Sequence, residues 1–289
     1  MNIIKYPDGT SYAVVHPTQE FTFRINSYED LWHLNQIVDA QNNLGITPTI
    51  TIPNLIDAQA DRRFTNNQSS GLKLVCKFLN SINAYFKIFH PHNPEVVEAL
   101  MDNVKIIDNS EFVTNVLSKL NDKHRDHNDT LLDTHFDEKI SSYLTLMSSD
   151  AGGFKPLMKL CDKINWTGET ASASKARSYE EGKTTLHQIV PIKDFNGKDI
   201  LIIDDICVYG GTFKGLSKLL KERNCGKLYL AVSHMTVQNL GEDPVTNYFD
   251  KVYCTNSKYD NYTYKTMDRN HGLLDILSQP KNLEIIKLF

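Results

Sequence analysis

The chain's densest chemistry lies in Asp199-Ile-Leu-Ile-Ile-Asp-Asp-Ile-Cys-Val-Tyr-Gly-Gly-Thr-Phe-Lys214. An apolar run of the buried-strand type ends in two acids, and a glycine pair and a hydroxyl follow before a helix. Gly210 and Gly211 permit backbone conformations closed to other residues and let amide groups approach an anion. Thr212 is expected to cap the following helix, whose N-terminus favours negative charge, and to hydrogen-bond a phosphate alongside the Tyr209 amide. Asp204 and Asp205 are expected to leave the carboxyl end of the strand, where open α/β sheets bind ligands. Their acceptor oxygens suit sugar hydroxyls or a hydrated magnesium ion. Together the parts fit ribose 5-phosphate. The pattern is neither GxxxxGK[ST] nor GxGxxG, which argues against a P-loop nucleotidase and a Rossmann dinucleotide site. An ordinary strand-turn-helix connection would explain the order of elements, but not acids, glycines and a hydroxyl gathered in one loop.

The elements that position this loop alternate. Residues 12–24 read as strand and Ser27–Ala40 as a capped helix. Thr47–Pro53 is β-rich, Ser70–Leu79 has apolar residues at helical spacing, and Ala84–Phe89 is strand-like. Asn93–Met101, Asn103–Ile107 and Glu111–Leu120 read as helix, strand and helix. Beyond the polar run Asn121–Thr130, the alternation restarts with an apolar strand at Ile140–Met147, the loop Ser148-Ser-Asp-Ala-Gly-Gly153 and a helix to Lys163. Lys198–Ile203, Gly215–Lys221 and Lys227–His234 read as strand, helix and strand. Such alternation predicts an α/β protein with mainly parallel sheets flanked by helices. At about 150 residues per domain the length suits two of them, divided as 1–135 and 136–289.

Composition narrows the function classes. Net charge is -4, with Lys and Arg totalling 31 against 35 Asp and Glu, so no overall basic field would hold nucleic acid or an anionic membrane. Phosphate binding must be local. Cys76, Cys161, Cys207, Cys225 and Cys254 are scattered and form no CxxC pair, which points to a reducing cytoplasm. Met1–Asp8 has no apolar signal core, and no run of about 18 apolar residues occurs, so neither secretion nor membrane insertion is expected.

The strand, two acids and glycine-threonine loop resemble the phosphoribosyl-binding signature of the type I phosphoribosyltransferase superfamily. Further segments make the whole chain similar to the ribose-phosphate diphosphokinase family, also called phosphoribosyl diphosphate synthetases. That resemblance implies two phosphoribosyltransferase-like domains, ATP and ribose 5-phosphate as substrates, Mg2+ as cofactor, and a homodimer or higher homo-oligomer. Tyr6-Pro-Asp-Gly-Thr10 resembles the family's aromatic-x-Asp-Gly-Glu segment, which implies ATP-binding roles for Tyr6 and Asp8. Ile52–Phe64 resembles the stretch ending in Arg-Gln-Asp-Arg, which implies the same for Gln59, Asp61 and Arg62. Ile88-Phe-His-Pro-His-Asn93 resembles the Asp-x-His element, so His92 is implied at the nucleotide and its metal. Ser148–Gly153 resembles a Pro-Asp-Ala-Gly-Gly loop and implies Asp150 as a magnesium residue. Ser172–Ser178 stands where the family has a mobile Lys-x-Arg loop. Lys175 and Arg177 are the implied catalytic cations, neutralising charge on the diphosphoryl group in transfer.

Some family positions differ. Gln59-Ala60 replaces an Arg-Gln pair, Thr10 a glutamate, His90 an aspartate, Val208 a ribose-loop aspartate and Tyr209 a threonine. The implied reaction has the anomeric hydroxyl, oriented by Asp204 and Asp205, attack the β-phosphorus of ATP and release AMP. Two other classes share the loop: a phosphoribosyltransferase that consumes phosphoribosyl diphosphate, and a non-catalytic regulatory homologue that binds the ligands without turnover.

Overall fold

A computed structural model describes residues 1–122, 138–180, 183–266, 276–278 and 280–289. The chain divides into two compact units, Met1–Asp108 with Phe289, and Asn109–Leu288. The first opens with an antiparallel hairpin of β1 (Asn2–Lys5) and β2 (Ser11–Val14). It continues through β3 (Glu20–Thr22), α1 (Tyr28–Asn43), β4 (Thr49–Ile52), α2 (Gly71–Asn80), β5 (Tyr85–Phe89), α3 (Pro94–Leu100) and β6 (Val104–Ile107). Strands β3, β4, β5 and β6 pair in that order, all parallel. The α1 start expected at Ser27 is a reciprocal cap: the Ser27 hydroxyl accepts from the Asp30 amide, and the Asp30 carboxylate accepts from the Ser27 amide at 2.8 Å. Ile50, Ile52 and Ile88 are fully buried with Leu34, Leu72 and Leu79 from the helices.

The second unit runs α4 (Ser110–Asp122), α5 (Glu138–Tyr143), β7 (Leu144–Ser148), a 3-10 turn at Ala151–Gly153, α6 (Phe154–Lys163) and β8 (Thr170–Ser172). It goes on through β9 (Ser174–Glu180), β10 (Lys183–Ile189), β11 (Asp199–Cys207), α7 (Gly211–Glu222), β12 (Leu228–Met235) and β13 (Lys251–Thr255). It ends with β14 (Tyr264–Thr266), β15 (Ile276–Ser278) and β16 (Leu283–Ile286). A six-stranded sheet in the order β16-β13-β12-β11-β7-β8 is parallel throughout, while β9–β10 and β14–β15 are antiparallel ribbons. Parallel sheets bury both faces, and β7 and β12 are buried at every position. The α/β architecture of parallel sheets flanked by helices is the one expected.

Strand boundaries differ from expectation. Residues 12–24 are not one strand, because β2 ends at Val14 and β3 begins at Glu20, and the two pair in different sheets. The apolar run Ile140–Met147 is not one strand, because α5 occupies its first part and β7 begins only at Leu144, opposite Asp199 at the start of β11. A short apolar run has no period that separates helix from strand, and the neighbouring strand sets where pairing starts. The division expected at 135/136 falls outside the described residues. By packing, α4 belongs with the second unit: Lys119 pairs with Glu284 of β16 at 2.7 Å, and Lys251 of β13 meets the other Glu284 oxygen at 3.1 Å. Among the described residues, no helix is long and apolar enough to cross a membrane.

Candidate functional site

The cradle is built at the end of β11, a central strand of the larger sheet. Ile200, Leu201 and Ile202 are fully buried and anchor the strand between β7 and β12, which holds its carboxyl end rigidly. Asp204 and Asp205 do not leave the strand as expected. β11 runs on to Cys207, so both acids sit within its last residues, half-buried. Asp204 Oδ1 accepts from the Asp205 amide at 2.8 Å, and Asp204 Oδ2 accepts a short hydrogen bond from the Ser149 hydroxyl. Burial, then the hydrogen bond and charge of Asp205, push the Asp204 carboxyl up to about 7, against the opposing pull of Ser149. The Cys207 thiol, buried beside them, is pushed up to about 12 by burial and then by Asp204, so it offers no thiolate nucleophile.

Val208 and Tyr209 follow on the surface, and Gly210 turns the chain with φ 73° and ψ 20°. This left-handed residue caps α7, so Thr212 is not the expected cap but lies within the first helical turn. Gly210 is required twice over, by its φ and by Val245, whose Cβ would lie 2.6 Å from an added Cβ. Gly211 differs: a Cβ there meets nothing within 4 Å, so packing makes no demand for glycine. What glycine leaves at 211 is room beside the first amides of α7, where an anion is favoured. The segment behind the loop is clamped to α7, since Lys214 Nζ reaches Asp243 Oδ2 at 3.1 Å and the Tyr248 hydroxyl donates to the same oxygen at 2.9 Å.

On the neighbouring strands, the Ser148 hydroxyl donates to the Asp150 carbonyl at 3.0 Å and lies 2.9 Å from the Ser172 hydroxyl, which donates to the same carbonyl at 3.3 Å. Asp150 caps the 3-10 turn by accepting from the Gly153 amide at 3.1 Å. Among the described residues, no group of three or more His, Cys, Asp or Glu is placed to hold a metal ion. Asp150, Asp204 and Asp205 are hard oxygen donors of the kind magnesium takes, and magnesium is commonly held by one or two carboxylates while substrate phosphates and water complete its shell. Lys175 and Arg177 lie on β9, in register with Gln188 and Leu186 of β10, and not in the loop that the resemblance implies.

In the first unit, Tyr6, Asp8 and Thr10 form the tip of the β1–β2 hairpin. Tyr6 is exposed with its ring 5.4 Å from that of Tyr12, while Asp8 accepts from the Thr10 amide at 3.0 Å and from its hydroxyl at 2.7 Å. The Thr10 hydroxyl and then its amide hold the Asp8 carboxyl below its ordinary value. Gln59 is exposed. Asp61 Oδ1 lies 3.7 Å from Arg62 Nε, and Asp61 Oδ2 accepts from Asn93 Nδ2 at 3.2 Å. Asn93 also caps α3, so it joins the Asp61 segment to the exposed His92 beside it. Sequence reasoning missed Asn93 and Ser149. For Ser149, the signal available was a serine where the resembled loop has proline.

Comparison with known proteins agrees with the geometry. A family model described as "Phosphoribosyl transferase domain" matches residues 108–264. The chain is 22% identical to a ribose-phosphate pyrophosphokinase of Sulfurisphaera tokodaii over 265 residues, covering 87% of this chain and 82% of that protein. A protein of the same name from Thermococcus kodakarensis is 21% identical, with 89% and 85% covered. In fold, the chain is similar to phosphoribosylpyrophosphate synthetase from Mycobacterium smegmatis, with TM-score 0.68, 16% identity, and 99% and 85% of the two chains covered.

Proposed function

The chain belongs to the phosphoribosyl transferase domain family, and on that premise we propose that it is a ribose-phosphate diphosphokinase. It transfers the diphosphoryl group of MgATP to the anomeric hydroxyl of ribose 5-phosphate, giving phosphoribosyl diphosphate and AMP. The observation that carries this reading is the cradle at the end of β11: paired acids, a left-handed Gly210 and an uncrowded Gly211 at the N-terminus of α7. The relatives named above support the diphosphokinase over a base-modifying transferase, because their similarity also takes in residues ahead of the matched family domain.

In this reading the amides of Tyr209, Gly210 and Gly211, with Thr212, bind the 5-phosphate, and Asp204 and Asp205 accept from ribose hydroxyls and orient the sugar. Val208 carries no polar atom on its side chain, so it offers the sugar hydroxyls no hydrogen bond and the two acids carry that recognition. Lys175 and Arg177 supply positive charge to the group in transfer. Tyr6, Asp8, Gln59, Asp61, Arg62 and His92 serve ATP. Asp150 would hold magnesium near the ribose and His92 would meet the metal of the nucleotide, and the ion would supply charge neutralisation at the phosphates. A regulatory homologue is the second reading, favoured by Gln59 and Ala60 where the resembled segment carries a cation and an amide.

The test is AMP release by the purified full chain with ATP and magnesium, with and without ribose 5-phosphate. Release that depends on the sugar supports the diphosphokinase. No AMP above the ATP-only control, from protein that binds ribose 5-phosphate, refutes it.

A further inference from the structure

We infer that Ser149 is a positioning residue that fixes Asp204 for the sugar, and so sets selectivity for a phosphorylated ribose over phosphate alone. The inference rests on the reading of β11 as the ribose 5-phosphate strand. Ser149 is 4% exposed and donates to Asp204 Oδ2 across 55 residues of sequence, while the other Asp204 oxygen is held locally by the Asp205 amide. Two donors on the two oxygens of one carboxylate define its rotation, and with it the direction in which its remaining lone pairs face a ligand. A buried serine hydroxyl directed at a carboxylate is a charge-assisted contact, which is stronger than a neutral one.

The surrounding bonds separate this role from scaffolding. The backbone of the Ser149 loop is held without the Ser149 side chain, because Ser148 and Ser172 both donate to the Asp150 carbonyl and Asp150 caps its own turn. Removing the Ser149 hydroxyl therefore leaves the Asp204 carboxylate held only by its contacts with Asp205, without releasing the loop. The phosphate-binding amides lie on another segment, around Gly210 and Gly211, and do not depend on Ser149.

The experiment is isothermal titration of the full chain with ribose 5-phosphate and, separately, with inorganic phosphate, for wild type, Ser149→Ala and Ser149→Thr. Ser149→Ala should weaken ribose 5-phosphate about tenfold, the loss of one charge-assisted hydrogen bond, and leave inorganic phosphate unchanged. Ser149→Thr keeps the hydroxyl and should restore most of the loss. A double-mutant cycle covers the case in which threonine does not fit: in an Asp204→Asn background, Ser149→Ala should have little further effect. Equal weakening of both ligands, no weakening of either, or full additivity with Asp204→Asn would overturn the inference. Wild type that binds ribose 5-phosphate but releases no AMP would defeat the diphosphokinase reading and leave this selectivity result standing. Wild type that binds no ribose 5-phosphate would defeat both.

Discussion

Gly210 and Gly211 adjoin in sequence, but the structure gives them opposite requirements, so alanine at each should separate folding from binding. At Gly210, alanine meets a left-handed backbone, costing about 1–2 kcal/mol, and Val245 at 2.6 Å, where overpacking costs about 1–3 kcal/mol. Together these come to about 2–5 kcal/mol. At roughly 2–4 °C per kcal/mol for a unit of this size, the melting temperature should fall by about 4–20 °C. At Gly211 there is neither a positive φ nor a neighbour within 4 Å, so alanine should change stability by less than about 1 kcal/mol. It nevertheless places a methyl group where a phosphate would approach. The assay is thermal unfolding with and without ribose 5-phosphate. Ligand at about 100 times Kd stabilises wild type by about 2.7 kcal/mol, or about 5–11 °C. If Gly211→Ala raises Kd about 100-fold, the same ligand adds only about 0.4 kcal/mol. A Gly211→Ala protein that melts like wild type and gains the full ligand shift would refute the placement of the phosphate at the start of α7.

Other expectations follow from the same residues. Asp204 is raised from 3.8 to about 7, so the stability contributed by its neutral form is fully present below pH 3.8 and lost as pH rises through about 7. Asp204→Asn should therefore be more stable than wild type at pH 8 and converge with it near pH 4; a gap that does not change with pH in calorimetry would contradict this. Asn93→Ala removes a helix cap and the bond to Asp61, so it should cost about 1 kcal/mol in chemical denaturation and raise KM for ATP but not for ribose 5-phosphate. The Tyr253 hydroxyl is buried with no hydrogen-bond partner among the described residues, so Tyr253→Phe should leave the melting temperature unchanged or raise it. Lys175→Ala should lower kcat by about 10²-fold or more, read in single-turnover kinetics.

The strand, turn and helix that carry the acids, glycines and hydroxyl were legible because these residues lie within a few positions of one another, and their backbone bounds differ at Asp204 and Thr212. The α/β alternation was legible from the periods of β4, α2, β5 and α3. Contacts that span the sequence were not. The bond from Ser149 to Asp204 joins residues 55 apart, and the bond from Asn93 to Asp61 joins residues 32 apart. No local pattern marks either. The resemblance implies a loop at Lys175 and Arg177, but the segment pairs with β10, a contact that its own residues do not signal. The start of β7 was likewise hidden, since it is set by the register with β11 and not by its own residues.

The most direct measurement supplies the full chain with magnesium, ATP and ribose 5-phosphate carrying heavy oxygen at the anomeric hydroxyl, and follows products by mass spectrometry. Attack of that hydroxyl on the β-phosphorus should give AMP and phosphoribosyl diphosphate in equal amounts, with the label retained in the product. ADP in place of AMP, a product less labelled than the ribose 5-phosphate remaining in the mixture, or no product from protein that binds the sugar would contradict diphosphoryl transfer by this chain.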